Sequence, residues 1–508
     1  MQRELYKIDS LTLHVLQRVA SYFSDHHTRA YLVGGALRNL LLGESFTDWD
    51  IAVHGDAPRL ARRLADKLHG YYAYMNEKAS RVVVKEDAHG LSLDISPMLG
   101  DVIEEDLRQR DFTVNAMAVP LDNLIQHFTT AAPLTLIDPL QGLDDLDARI
   151  LRACNEGIFR HDPLRMLRAV RFMARYRLTI ESHTQKFISR DSSLLPRAAS
   201  ERIHEELYTI LRLPGATERL RFLDQHGLFT ALFPEFIAAR GMPQPALHYW
   251  DVLEHSLESV AALEHLASLW QQSPQEIACS PLENSEQHDL QEVRTLLEQA
   301  EQEGIFQFTQ LTAPPMKLAA LLHDIGKPVT YAVDDEGNIH FYGHPQAGVP
   351  LAQQIMQRLS ASTHDRRLVQ QVVAHHMRPG QLSQTTITER AIRRYFVELG
   401  PAGIIVALVS LADHLAMRGP EPLARTWYNH LATVRLLLTR YIRERERILP
   451  PRIIQAEELM RRLKIAPGPL VGQLLDYIAE AQAEGLIHSK DDALWLAEEK
   501  LQQSQAES

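Results

Sequence analysis

The stretch YLVGGALRNLLLGESFTDWDIAV, Tyr31 to Val53, constrains this chain more than any other. An apolar strand runs into two glycines, a helix starts on them, and two aspartates one residue apart open a second strand. Gly34 and Gly35 have no Cβ, so they permit a tight turn and the close approach of another backbone or a phosphate. The N–H groups of the helix that starts there point at whatever lies in front, which suits a triphosphate. Residues i and i+2 of a strand share a face, so Asp48 and Asp50 present two carboxylates to one point while Trp49 packs on the other side. Two hard oxygen ligands at one point suit Mg²⁺, which binds through one or two carboxylates plus substrate phosphates. A glycine turn or a DxD alone is weak; together they point to a nucleotide and a metal.

The first 120 residues or so alternate short β-branched runs (AYLVGG, DIAV, RVVV, LSLDIS, TVNAMAV) with helical stretches such as APRLARRLADKLHG. From about Asp138 onward amphipathic helical patterns take over. Residues 270–305 are polar and Gln-rich and are expected as a surface insertion with some helix. Pro450 and Pro451 close an Arg-rich helix, and a last helical piece follows. The chain of 508 residues has room for several cores, and the expected division is a head at 1–135, a helical neck at 136–240, a further helical domain at 241–449 and a helical tail at 450–508. Two cysteines build no disulfide framework and fit no paired-cysteine zinc pattern, so any metal sits on His and carboxylates. No apolar run is long enough to span a bilayer and the first residues carry no secretory pattern, so a cytoplasmic protein without a membrane partner is expected. The net charge of -12 disfavours a broad polyanion grip. Residues 151–200, with ten Arg or Lys against four Asp or Glu, remain locally basic.

GGALRN followed by DWDIAV resembles the first motif of the DNA polymerase beta-like nucleotidyltransferases, in particular the bacterial class II tRNA nucleotidyltransferase and poly(A) polymerase family. EEDLRQRDFTVNAMA, LIDPLQGLDDLDARILR and HDPLRMLRAVRF are similar to the family's second, third and fourth motifs, in order. The resemblance implies an α+β head with a mixed sheet followed by an all-α remainder. It also implies two Mg²⁺ on Asp48 and Asp50, in-line attack of an RNA 3′-hydroxyl on the α-phosphate of CTP or ATP, and addition of all or part of CCA to tRNA. Asp94 in LSLDIS is the candidate third carboxylate. By the same resemblance Arg38 meets phosphate or the carboxylates, Asp106, Arg108 and Arg110 contact ribose and triphosphate, and Asn115 is structural. A tail starting near Pro450 would help to hold tRNA.

Asp162 and Arg165, three apart on an expected helix, can accept from an exocyclic amine and donate to a ring nitrogen. Cytosine and adenine both offer that pair of groups, whereas uracil and guanine offer the reverse, so one Asp–Arg pair can choose bases without a template. Arg168 and Arg171 continue that face toward phosphate or a neighbouring acid. Three positions depart from the family pattern, Asn39, Gln109 and His161. The link from LSLDIS to EEDL is also short where full CCA-adding members carry a longer loop, which favours a partial activity.

A second constellation follows: His255, the His323–Asp324 pair in LLHDIGKP, His344, His375 and His376, and Asp413. Adjacent His and Asp supply nitrogen and oxygen to one metal, and the order resembles the HD-domain metal phosphohydrolases over residues 246–419. The implied divalent metal, of unspecified identity, would lower the pKa of a bound water and hydrolyse phosphoesters, with Lys327 near a substrate phosphate or capping a helix. Two further readings stand beside CCA addition: a poly(A) polymerase acting on general RNA, and an HD phosphohydrolase whose head only binds RNA. DNA is not an expected partner.

Overall fold

The computed structural model describes residues 5–76, 79–86, 89–272, 284–418, 425–483 and 485–506. Two compact units divide the chain, Met1–Glu206 with Leu223–Leu232, and Leu207–Phe222 with Phe233–Ser508.

In the first unit a helix, α1 (Ser10–Asp25), precedes β1 (Ala30–Val33), α2 (Gly34–Leu42), β2 (Asp48–Val53), α3 (Ala57–Leu68), β3 (Tyr71–Asn76), β4 (Ala79–Glu86), β5 (His89–Pro97), α4 (Ile103–Leu107), β6 (Ala118–Pro120) and α5 (Leu121–Thr130). The sheet runs β3-β4-β5-β2-β1-β6, and β2–β5 is its one parallel pair among the described residues. Period-2 alternation buries Trp49, Ile51, Val82, Val84, Leu93 and Ile95 and leaves Asp48, Asp50, Arg81 and Asp94 on the other face of their strands. TVNAMAV, expected as a strand, is mostly not one: Thr113–Asn115 forms a 3₁₀ turn and pairing begins at Ala118. Short helices follow, α6 (Gly142–Asp147), α7 (Ile158–His161), α8 (Arg165–Tyr176) and α9 (Ser182–Asp191).

Among the described residues the second unit is helical apart from the short pairing of Ala332–Val333 with Ile339–His340. Helices Val252–Gln271, Pro314–Leu322, His344–Arg358, Thr363–His375 and Ala402–Ala416 bring their apolar faces together. The expected surface insertion contains Asn284–Gln302, a helix packed on Arg425–Arg443. Its Leu290, Val293, Leu296, Leu297 and Ala300 are buried at helical spacing, so the polar composition hides a core stripe. Residues 273–283 of that stretch lie outside the described residues. After Pro450 and Pro451, helices Ala456–Leu463, Pro469–Ala483 and Lys490–Ala506 enclose a small core around Leu459, Leu474 and Ala493.

Candidate active sites

The head site is built on the start of α2. Gly34 has φ +64°, and a Cβ there would lie 3.0 Å from Asp50 Oδ2 and 3.2 Å from Arg110 Nη1. The glycine thus makes room for the carboxylate itself, and Asp50 Oδ2 accepts the Ala36 N–H at 3.1 Å. Burial raises the Asp50 carboxyl above its ordinary pKa, opposed by that N–H and by Arg110. Across the parallel pair Asp50 stands opposite Asp94, and across the next ladder Asp94 stands opposite Arg81. The Arg81 guanidinium grips Asp94 with two bonds, Nε to Oδ1 at 2.7 Å and Nη2 to Oδ2 at 2.8 Å, and its Nη2 lies 3.5 Å from Asp48 Oδ2. The sequence reading missed Arg81, although its alternation with Val82 and Val84 placed it on the face of the acids. Asp48 and Asp50, on one face of β2, form a hard, anionic oxygen pair that fits Mg²⁺.

Beside these acids a cleft of about 330 Å³ is lined by Gly34, Gly35, Asp50, Arg110, Asp162 and Arg165, among others. Asp162 and Arg165 both reach it, by a different local route from the one expected. Asp162 is extended at φ -146°, as suits a residue before proline, and Arg165 is the first residue of α8, so the two do not share a helix. Arg202, not singled out in the sequence, donates to Asp162 Oδ2 at 2.9 Å. Arg168 lies on the cleft wall and donates to Asp111 Oδ2 through Nε at 3.0 Å and Nη2 at 2.7 Å. Burial alone would raise Asp111, but Arg168 and the Asn115 amide outweigh it and hold the carboxyl at about 2.

Four expected contacts are differently placed. Arg38 is buried and bonded to neutral groups: it donates to Asn115 Oδ1 at 2.5 Å, the Tyr176 hydroxyl at 2.6 Å and Asn39 Oδ1 at 2.9 Å, tying α2 to α8. Asp106, also buried, accepts from Arg110 at 2.9 Å and from the Leu99 N–H at 3.2 Å, so it aims Arg110 at the cleft instead of facing it. Arg108 is exposed and outside the cleft lining. Arg171 is bound to Glu206 at 2.7 Å, also outside it.

In the second unit four histidines and two aspartates converge. His323 Nδ1, His344 Nδ1 and His376 Nδ1 lie 2.7, 2.8 and 3.0 Å from the carbonyls of Ala320, Phe341 and Val373. A carbonyl only accepts, so each Nδ1 carries the proton and each Nε2 is turned to Asp324, at 3.1, 3.2 and 3.5 Å from its carboxylate. His255 Nε2 is 2.9 Å from Asp413 Oδ1. Backbone carbonyls that fix the tautomer are the usual support of metal-ligating imidazoles, so the donor set fits a divalent cation. Burial pulls the His323 imidazole down, but Asp324 and Asp413 outweigh it and push it up to about 10. His323 and Asp324 follow the helix end at Leu322. Gly326 lets the helix His344–Arg358 approach, since a Cβ there would fall 2.0 Å from the His344 carbonyl. Lys327 Nζ contacts Asp324 at 2.5 Å and Gln244 at 2.6 Å. His375 is not brought in: it turns away, 3.7 Å from Glu398.

Residues 30–152 match the poly(A) polymerase head domain family, residues 177–240 the probable RNA and SrmB-binding site of polymerase A, and residues 252–418 the HD domain family. The chain is 31% identical over 472 residues to the A-adding tRNA nucleotidyltransferase of Deinococcus radiodurans, covering 91% of this chain and 94% of that one. This chain belongs to the tRNA nucleotidyltransferase family. It is also 31% identical over 474 residues to the CC-adding tRNA nucleotidyltransferase of Thermus thermophilus, covering 91% and 92% of the two chains. The fold is that of the solved Thermotoga maritima CCA-adding enzyme complexed with tRNA, with a TM-score of 0.58 at 20% identity over 98% of this chain and 97% of that one. As in the family, the chain is an α+β nucleotidyltransferase with an HD domain.

Proposed function

We propose that the head adds part of the CCA end to tRNA from CTP or ATP, with Asp48 and Asp50 holding Mg²⁺. The arrangement that carries this reading is the cleft, which joins the carboxylate Asp50 to the base-reading candidates Asp162 and Arg165. When bound, Mg²⁺ would activate the RNA 3′-hydroxyl and neutralise charge on the leaving pyrophosphate. The N–H groups at the start of α2 and the Arg110 guanidinium bind the triphosphate and orient it. Asp162 accepts from the exocyclic amine of cytosine or adenine while Arg165 donates to the ring nitrogen beside it, and Arg202 holds the Asp162 carboxylate in place. Arg38, Asn115 and Arg168 position the cleft walls. Only Met98–Val102 separates β5 from α4, and so short a link supports CC or A addition over complete CCA synthesis.

The HD cluster would hold a divalent metal on His255, His323, Asp324, His344, His376 and Asp413 and hydrolyse a phosphoester. The organisation we propose is a head at 1–135, a neck at 136–240, the HD domain at 241–449 and a tRNA-holding tail at 450–508. Among the described residues no single helix is long and apolar enough to cross a membrane, and we assign the protein to the cytoplasm, with tRNA, CTP and ATP as partners.

The test is extension of tRNA ending at the discriminator base, at CC and at CCA, with Mg²⁺ and CTP or ATP, read at single-nucleotide resolution. Stopping after CC, or after A on a CC end, identifies the part built. Long A tracts on unrelated RNA would move the protein to poly(A) synthesis, and no incorporation at all would leave only the HD hydrolase.

A further inference from the structure

The three head carboxylates are unequally partnered. Asp50 rests on the N–H of Ala36, Asp94 has both oxygens engaged by Arg81, and Asp48, with its side chain 46% exposed, is reached by the same guanidinium at 3.5 Å. The ladders set this arrangement, because Arg81, Asp94 and Asp50 occupy one row across β4, β5 and β2. Three unpaired carboxylates in that space would repel one another, and Arg81 supplies the positive charge that lets them stand together. A guanidinium is fixed in charge and forked, so it engages one lone pair on each oxygen of Asp94 and at the same time faces Asp48.

We infer that Arg81 is a positioning residue that keeps Asp94 out of the metal-ligand set and competes with the divalent cation for Asp48, so that the head binds metal weakly until a triphosphate adds its own negative charge. This rests on the reading of the head as the Mg²⁺-holding transferase site. A cation arriving at Asp48 and Asp50 meets the positive guanidinium across a partly exposed surface, which lowers its affinity; the phosphates of a bound nucleotide offset that repulsion. Asp94 then acts through Arg81, and the metal ligands supplied by the chain are the two acids of DWD.

The experiment is Mn²⁺ binding to the full-length, nucleotide-free protein, followed by the loss of the free-ion electron paramagnetic resonance signal. The share that disappears in the Asp48→Asn/Asp50→Asn variant is assigned to the head, and what remains belongs to the HD cluster. Arg81→Gln is expected to tighten the head's Mn²⁺ affinity by about fivefold or more without nucleotide, and by less with a non-hydrolysable triphosphate present. Arg81→Lys, which keeps the charge, is expected to stay within about twofold of the parent, so that a defect of folding in the Gln variant is recognised. Arg81→Gln/Asp94→Asn is expected to bind Mn²⁺ at least as tightly as the parent. Unchanged or weaker binding in Arg81→Gln overturns the inference, and so does a loss of about tenfold or more in the double variant, which would make Asp94 a ligand. If the Asp48→Asn/Asp50→Asn variant loses no Mn²⁺ even with the non-hydrolysable triphosphate present, the reading of these acids as the Mg²⁺-holding site itself fails, and that result is distinct from a failure of Arg81.

Discussion

Gly34→Ala tests the construction of the head site directly. The backbone there has φ +64°, a left-handed conformation that costs an L-residue about 1–2 kcal/mol. The new Cβ would also stand 3.0 Å from Asp50 Oδ2, so the carboxylate or the first turn of α2 must shift by a few tenths of an ångström. Strain of that size lowers the Tm of a unit this large by about 3–6 °C. Displacing a metal-holding carboxylate lowers kcat for nucleotide addition by about 10–100-fold, since small misplacements at a reacting centre are costly. Gly35→Ala is the matched control. A Cβ there would lie 3.4 Å from Asp50 Oδ2, an ordinary contact, with no positive φ. Alanine also favours a helix by about 1 kcal/mol over glycine, so this variant is expected to be at least as stable as the parent and to keep most of its rate. Thermal unfolding with single-turnover incorporation on a tRNA primer measures both quantities. Equal behaviour of the two variants, or greater damage from Gly35→Ala, would refute the argument that Gly34 is there to admit Asp50.

Asp162→Ala is expected to lower kcat/KM for the preferred nucleotide and to compress its advantage over UTP or GTP by about 10–100-fold, the worth of a paired base contact; unchanged ratios would place base choice elsewhere. Asp111, held at about 2 against an ordinary 3.8, contributes about 2 kcal/mol of stability. Because its pKa is depressed in the folded state, that contribution is complete above about pH 4 and fades as pH falls toward 2. Urea unfolding across that window should show the difference between the parent and Asp111→Asn closing. In the HD domain, His376→Ala should lose bound divalent metal in elemental analysis while His375→Ala keeps it, and the opposite result would invert the assignment of that adjacent pair.

Strand alternation made DWD legible, because it puts both acids on one face whatever the rest of the sheet does, and Trp49 is buried as that period requires. The same period held Arg81, but nothing in ASRVVV says which strand lies alongside, and the pairing of β4 with β5 turns an unremarkable arginine into a partner of two acids. Asp162 and Arg165 were found for their chemistry and misplaced locally, since Pro163 forces Asp162 out of the helix. Asp111 and Arg202 act through residues far away in sequence, at Arg168 and Asp162, so no local spacing marks them. Arg38 was legible as an important side chain but not as a buried clamp, because its partners Asn115 and Tyr176 come together only in three dimensions. Of the two adjacent histidines, only the helix phase could decide which faces inward, and it selects His376.

The parallel pairing of β2 with β5 also governs when the head becomes competent. Parallel neighbours cannot be joined by a tight turn, so the chain between Asp50 and Asp94 must first make the excursion through α3, β3 and β4. Closing that long loop costs entropy before any contact offsets it, which makes the meeting of these two acids a slow event relative to the hairpins beside it. A chain still being synthesised therefore carries DWD without Asp94 and Arg81 beside it, and the row of Asp50, Asp94 and Arg81 is complete only after the whole sheet segment has emerged and closed.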